Sequence, residues 1–161
     1  MAVDMFLKLD GINGESQDEL HRQWIEVESF SWGLTSMNSS ATGGAGAGRA
    51  SFQDFHFKKQ VDKSSPSLML ACASGEHIKG AQLSVRKAGG DSLGTVKIDE
   101  EFLKIKLSDL LVSSFMQKCD AAGGLEDPQD SFSLNFARIE FTAMSESAGW
   151  DLKTNKAIIA I

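Results

Sequence analysis

The 161-residue chain has no tyrosine, only two prolines, two cysteines and three histidines, and no basic excess: 16 Lys plus Arg stand against 22 Asp plus Glu, a formal charge of −6. The missing positive charge excludes a nucleic-acid or anionic-membrane binder, because either needs a basic face. No apolar run approaches the roughly 18 residues of a membrane span, so no membrane insertion is expected. Few prolines and 24% charged residues without a long charge run exclude a disordered chain. Cys72 and Cys119 lie far apart and form no C-x-x-C pair, which reads as two reduced, partly buried thiols. Met1 to Asp10 carry an acid at Asp4 and have neither a basic n-region nor an apolar h-region. The expectation is a chain made in the cytoplasm without a cleaved signal peptide.

What remains is 42% hydrophobic residues, 15 glycines, ten Phe and three Trp. A domain of this size buries roughly 70% of the surface its unfolded chain exposes, so residues 1–161 are expected to form one self-sufficient domain. Most of it reads as strand. Met5, Leu7 and Leu9 alternate with Phe6, Lys8 and Asp10. Ile25 and Val27 share one face and Phe30 and Trp32 the other, so the apolar parity flips near Ser29. It flips again around Phe52, Phe55 and Phe57, and between Phe136 and Ile139. Such flips mark a bulge or a strand buried on both sides, the second face serving another subunit. Ser16 to Glu19 has capping-box spacing but is read as a polar loop. One helix is expected at about 65–75: Ser64-Ser65-Pro66 offers an N-cap and a first-turn proline, and Gly75 a C-terminal cap. Later strands carry Ala81, Leu83 and Val85, then Val96 and Ile98, then Leu103, Ile105 and Leu107, and finally Trp150, Leu152 and Ile158 to Ile161. The fold class is therefore mainly β, an antiparallel barrel or two-sheet sandwich with one short flanking α-helix.

Thr35 to Ala50 is the least strand-like segment, a long Gly-rich extended loop with no apolar anchor beyond Met37. Gly43 and Gly48 have phosphate-loop spacing, but Arg49 and Ala50 stand where lysine and a hydroxyl are required, and Ser51 breaks a G-x-G-x-x-G match. No nucleotide cofactor is expected. His21, His56 and His77 lack second ligands at metal-binding spacing, so no metal is expected either. There is no G-x-S-x-G elbow, although a triad assembled in space from the many serines stays open. Asp99-Glu100-Glu101 reads as a solvated acidic turn, and the Asn38-Ser39-Ser40 sequon as chance. No catalytic residue is assigned.

Taken in order along the chain, Met1 to Asp10, Gly14-Glu15-Ser16, Ser31-Trp32-Gly33, the glycines of 43–48, Phe57-Lys58-Lys59 and Asp62 to Pro66 resemble the haemolysin-coregulated (Hcp) proteins. So do Leu70 to Gly75, Arg86 to Gly90, Val112-Ser113-Ser114, Leu134 to Ala137 and Gly149 to Leu152. Residues 91–101 are longer and more acidic than the family's usual link, and Phe115 to Asp130 is individual to this chain. The resemblance implies a compact β-barrel of two sheets, closing as six copies into a ring and stacking into the inner tube of the type VI secretion system. It also implies secretion without a signal peptide, and as partners a spike and baseplate, a contractile sheath and effectors carried in the lumen. The alternatives are an effector-type hydrolase, against which the length speaks by leaving no residues for a fused toxin, and a free-standing adaptor or ligand-binding barrel.

Two site expectations join the residues to this resemblance. Gly43, Gly44, Gly46 and Gly48 would let the loop backbone approach a neighbouring ring closely and adopt positive φ. Ser31, opposite the bulky face of its strand beside Trp32, would line the lumen and touch cargo. Deletion of Gly43 to Gly48 is expected to leave soluble rings and abolish tubes; tubes persisting in negative-stain micrographs would refute the stacking role.

Overall fold

The computed structural model describes residues 3–37, 49–87, 101–121 and 128–158. Eleven strands and one helix follow in the order β1 (Val3–Leu9), β2 (Ile25–Val27), β3 (Ser29–Ser31), β4 (Leu34–Met37), β5 (Arg49–Phe52), β6 (Phe55–Gln60), α1 (Ser65–Ser74), β7 (Ile78–Lys87), β8 (Glu101–Lys118), β9 (Gln129–Ala143), β10 (Glu146–Asp151) and β11 (Lys156–Ile158). Nine strands form one antiparallel sheet running β2-β1-β7-β8-β9-β6-β3, with β10 and β11 continuing from β9; β4 and β5 form a separate two-stranded ribbon. The strands at the two ends of that path, β2 and β3, are consecutive in the chain, with only Glu28 between them. The sheet therefore curls back on itself, and the Glu28 amide donates to the Lys58 carbonyl at 2.8 Å across the gap. The mainly β reading with one helix holds. The two sheets are unequal, nine strands against two.

The parity flips mark changes of strand partner. β2 pairs with β1 and β3 with β6, so the flip near Ser29 is where the chain leaves one edge of the sheet for the other. Phe52 and Phe55 belong to different sheets. On β9, residues up to Leu134 pair with β6 and those from Arg138 onward with β10. The adjacent β8 flips with it: Leu107 faces Ile139 and Leu110 faces Phe136, all four buried, with Asp109 at φ 52° between them. A matched flip keeps both long strands' apolar sides inward as the sheet bends.

The core gathers Leu7, Leu9, Ile25, Leu83, Ile105 and Leu134 around a ladder of rings. Phe55 stacks on Phe57 and Phe57 on Phe132, each at 5.1 Å between centroids, and Trp32 caps Phe55 at 5.6 Å. Phe6, read as outward, is buried. Residues 15–24 cross the outer face of β1 and cover it, His21 stacking on its ring at 4.4 Å. This strap is a loop, as expected. It hangs from Gly14, whose amide donates to the Gln23 carbonyl at 2.7 Å and where a β-carbon would lie 2.5 Å from the Ile25 α-carbon.

α1 begins and ends where the sequence places it, with Gly75 at φ 67° closing it by its amide to the Ala71 carbonyl. Its start differs in mechanism. Ser64 makes no cap bond; its hydroxyl donates to Asp62 Oδ1 instead. Asp62 and Ser65 organise the turn, the Asp62 amide donating to Ser65 Oγ and the Ser65 amide to the Asp62 carbonyl, both at 3.0 Å. Cys72 is half-buried beside the core, whereas Cys119 is exposed rather than partly buried. Thr35 to Met37 and Arg49 to Ala50, read as loop, are ribbon strands: Leu34 pairs with Phe52, and Thr35 with Ser51. Gly43, Gly44, Gly46 and Gly48, the Asn38 sequon, Val96 and Ile98, the bulk of the 91–101 link and Ile159 to Ile161 lie outside the described residues.

Lys59 continues the inward row of Phe55 and Phe57 and is fully buried. Its Nζ donates to Asp130 Oδ2 at 2.8 Å, Asp62 Oδ1 at 2.9 Å and Ser65 Oγ at 3.0 Å. Asp130, also fully buried, accepts in addition from Ser65 Oγ and from Gln117 Nε2. Burial works against its charge, but the bonds from Lys59, Ser65 and Gln117 outweigh it and hold its carboxyl below the ordinary aspartate range. A folded-state pKa below the unfolded one gives stability that is full above the unfolded value and is lost as pH falls through the folded one. Removing Lys59 strands the buried Asp130, and removing Asp130 leaves the buried Lys59 with Asp62 as its one remaining carboxylate among these partners. Asp130→Asn is therefore expected to cost about 3 kcal/mol at pH 7, with the gap to wild type narrowing as pH falls below the ordinary aspartate value of about 4. Thermal melts across that range check this; a gap independent of pH would refute it.

Candidate functional site

The outward rows of β3, β6, β9 and β8 come together in one groove of about 460 Å³. Ser31 pairs in register with His56, and Ser29 with Lys58; on the far side Ser131 stands opposite Met116. The inward alternation that buries Phe55, Phe57 and Phe132 turns these short polar side chains outward, and Ser29, Ser31, His56 and Lys58 are all exposed. Ser31 is exposed, with Phe30 and Trp32 half-buried on either side of it. The floor near β8 is fixed by a bulge at Ser113, where the register of β8 against β9 slips by one residue. Ser113 Oγ donates to Asp54 Oδ2 at 2.7 Å, and Asn135 Nδ2 donates to Asp54 Oδ1 at 2.8 Å. Ser133 lies buried beneath, within 2.7 Å of Ser113 Oγ and 2.5 Å of Ser114 Oγ.

Chemically this is a mixed surface: the serine hydroxyls, His56 and Lys58 stand among the apolar side chains of Phe30, Phe115 and Met116. Among the described residues no carboxylate lines it, and none there orients His56 as a nucleophilic serine's histidine requires. It can exchange hydrogen bonds with many partner surfaces, since each serine donates and accepts.

The open question of a triad assembled in space has a definite answer at the strap. His21 Nδ1 lies 2.8 Å from Asp18 Oδ2, and His21 Nε2 lies 3.2 Å from Ser84 Oγ. The order Ser, His, Asp is that of a hydrolase, but the chemistry is not. Ser84 is fully buried beneath the strap. Its single hydroxyl proton goes to Glu101 Oε2. His21 thus bridges Asp18 at one ring nitrogen and, at the other, a hydroxyl already committed to Glu101. Burial opposes the charge on Asp18, yet bonds from Arg86 and His21 lower its pKa below the ordinary value. Arg86 grips it with both terminal nitrogens, at 2.5 and 3.1 Å, while lying over the Phe6 ring at 5.0 Å. This network pins the strap. His77, by contrast, is exposed beside Asp109 at 3.4 Å. Among the described residues no group of three or more His, Cys, Asp or Glu could hold a metal ion, and no helix is long and apolar enough to cross a membrane.

Sequence reasoning missed two buried polar clusters. Lys59 was legible, since it has the parity of Phe55 and Phe57. The strap network was not, because Asp18, Ser84 and Glu101 become neighbours only through strand order.

The family model for the type VI secretion system effector Hcp matches residues 6–142. The chain is 38% identical over 167 aligned residues to protein hcp1 of Pseudomonas aeruginosa, covering 96% of this chain and 98% of that one. Among solved structures it is similar to Hcp1 from Salmonella typhimurium, with a TM-score of 0.79 and 34% identity over 98% of this chain and 100% of that one. It is also similar to a type VI secretion system effector from Yersinia pestis, with a TM-score of 0.72 and 29% identity over 92% and 99%. If Ser84 is structural, Ser84→Ala is expected to cost about 1–3 kcal/mol of stability, and a fluorophosphonate should leave the wild-type residue unlabelled; mass-spectrometric detection of an adduct on Ser84 would overturn this assignment.

Proposed function

The chain belongs to the Hcp family and is a type VI secretion tube protein; on that premise we propose that six copies of this single domain close into a ring and that the rings stack, with effectors held in the lumen against the groove of β3, β6, β9 and β8. The observation that carries the reading is the family match along residues 6–142. The groove supports it, because a wall for varied cargo needs short hydroxyls without reactive chemistry, and Ser29, Ser31 and Ser131 supply them. Head-to-tail contacts between different patches generate such a ring when the rotation closes. In this reading the glycines at 43, 44, 46 and 48 serve stacking, and the outer surfaces meet the sheath, the spike and the baseplate. The subunit waits in the cytoplasm and leaves the cell when the system fires.

A hydrolase reading is the weaker one, since the Ser84-His21-Asp18 arrangement is sealed under the strap. Light scattering tests the assembly: a mass near six chains supports the ring, and a strict monomer at all concentrations counts against it. Ser31→Trp is expected to leave ring mass unchanged and reduce co-purified effector several-fold; equal cargo retention would refute the role of Ser31.

A further inference from the structure

Two stretches of this chain contain no charged residue, Ser29 to Gly48 and Ser64 to Gly75. The second is α1 with both its caps. Leu68 and Ala71 are its buried side. Pro66, Met69, Leu70 and Ala73 stand at i, i+3, i+4 and i+7 on the opposite side, Met69 51% and Leu70 64% exposed. A surface helix ordinarily turns charge toward water; one that is apolar all round is a buried helix. The first stretch includes β4. With β5 it forms a ribbon whose two strands pair only with each other among the described residues, and a two-stranded ribbon is marginal on its own. Leu34 and Phe52 are register partners and so share a face. Phe52 meets Phe136 at 6.0 Å, while Leu34 beside it is 49% exposed.

We infer that each of these surfaces is the other's partner in a second copy: the ribbon of one subunit lies on the outer side of α1 of the next, with Leu34 against Met69 and Leu70. The inference rests on the tube reading. A head-to-tail assembly needs two different patches on one chain, and these two are poor in charge and incompletely covered: β4 and α1 carry none, and the ribbon's one charge, Arg49, lies at the far end of β5 from Leu34 and Phe52. A contact of Leu34 and Phe52 with Met69 and Leu70 brings no ion out of water. Copies that each carry −6 approach most cheaply where neither presents charge. Helix against helix would cover the same residues, but it is a two-fold contact that closes at two copies and builds no ring.

Disulfide trapping separates these outcomes. In a Cys72→Ala, Cys119→Ser background, Leu34→Cys and Leu70→Cys chains are mixed, allowed to assemble and oxidised. A cross-linked pair is expected only in the mixture, and a ladder when both cysteines are in one chain. Self-pairing of Leu70→Cys alone, or no cross-link while micrographs show normal rings, would overturn the contact and leave the tube reading intact. Failure of the wild-type chain to assemble would remove both. Independently, Leu70→Asp, exposed and so compatible with folding by circular dichroism, is expected to raise the concentration for half-assembly by about tenfold or more. Unchanged assembly of the folded variant would refute the inference.

Discussion

The buried cation at Lys59 is the constraint around which the rest of the fold is arranged. A lysine with no exposed surface is tolerated only if its charge is matched and its protons are used. Asp130, Asp62, Ser65 and the Gln60 carbonyl do this. Those partners sit on β9, on the turn after β6 and on the first turn of α1, so satisfying one ammonium fixes three elements against each other. Gln117 on β8 joins through Asp130. The ring ladder of Phe55, Phe57 and Phe132 lies in the same row, so its register on β6 and β9 is set at one end by ion pairing. A slip of one residue would expose the rings and bury Lys58 in place of Lys59.

The same register creates the outer groove. Because β6 and β9 hold their bulky residues inward, Ser29, Ser31, His56 and Ser131 emerge together on the outside. The outward row of serines is therefore a consequence of core packing, and it needs no side chain held in strain. The strap shows the converse. Its His21 and Asp18, with Ser84 of β7 beneath, have catalytic identities and spacing, yet they are consumed in holding residues 15–24 over Phe6. Geometry alone would name a triad there; burial and the direction of the hydroxyl proton decide otherwise.

Most of this fold was legible in the chain because period-two alternation survives wherever one side of a strand is covered. α1 was legible to the residue, since Pro66 and Gly75 act locally. The parity flips were seen but misread: from one strand, a change of partner looks the same as a second buried side, and only strand order separates them. Phe6 was misplaced for a related reason, since a loop that covers the outer side of β1 leaves no mark on β1 itself. The ribbon was hidden by its neighbour, because four strand residues on either side of a Gly-rich segment carry little signal of their own. The outward position of Ser31 follows from its contrast with Phe30 and Trp32, a purely local pattern.

Net charge and assembly pull in opposite directions in this molecule. Copies at −6 repel, and screening at physiological ionic strength weakens that repulsion only beyond about 8 Å. Direct contacts between subunits lie inside that distance. They must therefore be made where charge is paired or missing. Arg86 and Lys59 already use their charges within the chain, on Asp18 and Asp130, and are not spare for a neighbour. What remains for close approach is the uncharged surface, concentrated in α1 and in the segment beginning at Ser29. The exposed leucines there are unusual for a free-standing domain and ordinary for a subunit. An acidic chain that must pack against copies of itself is driven to keep its carboxylates elsewhere, and this distribution is what the chain has.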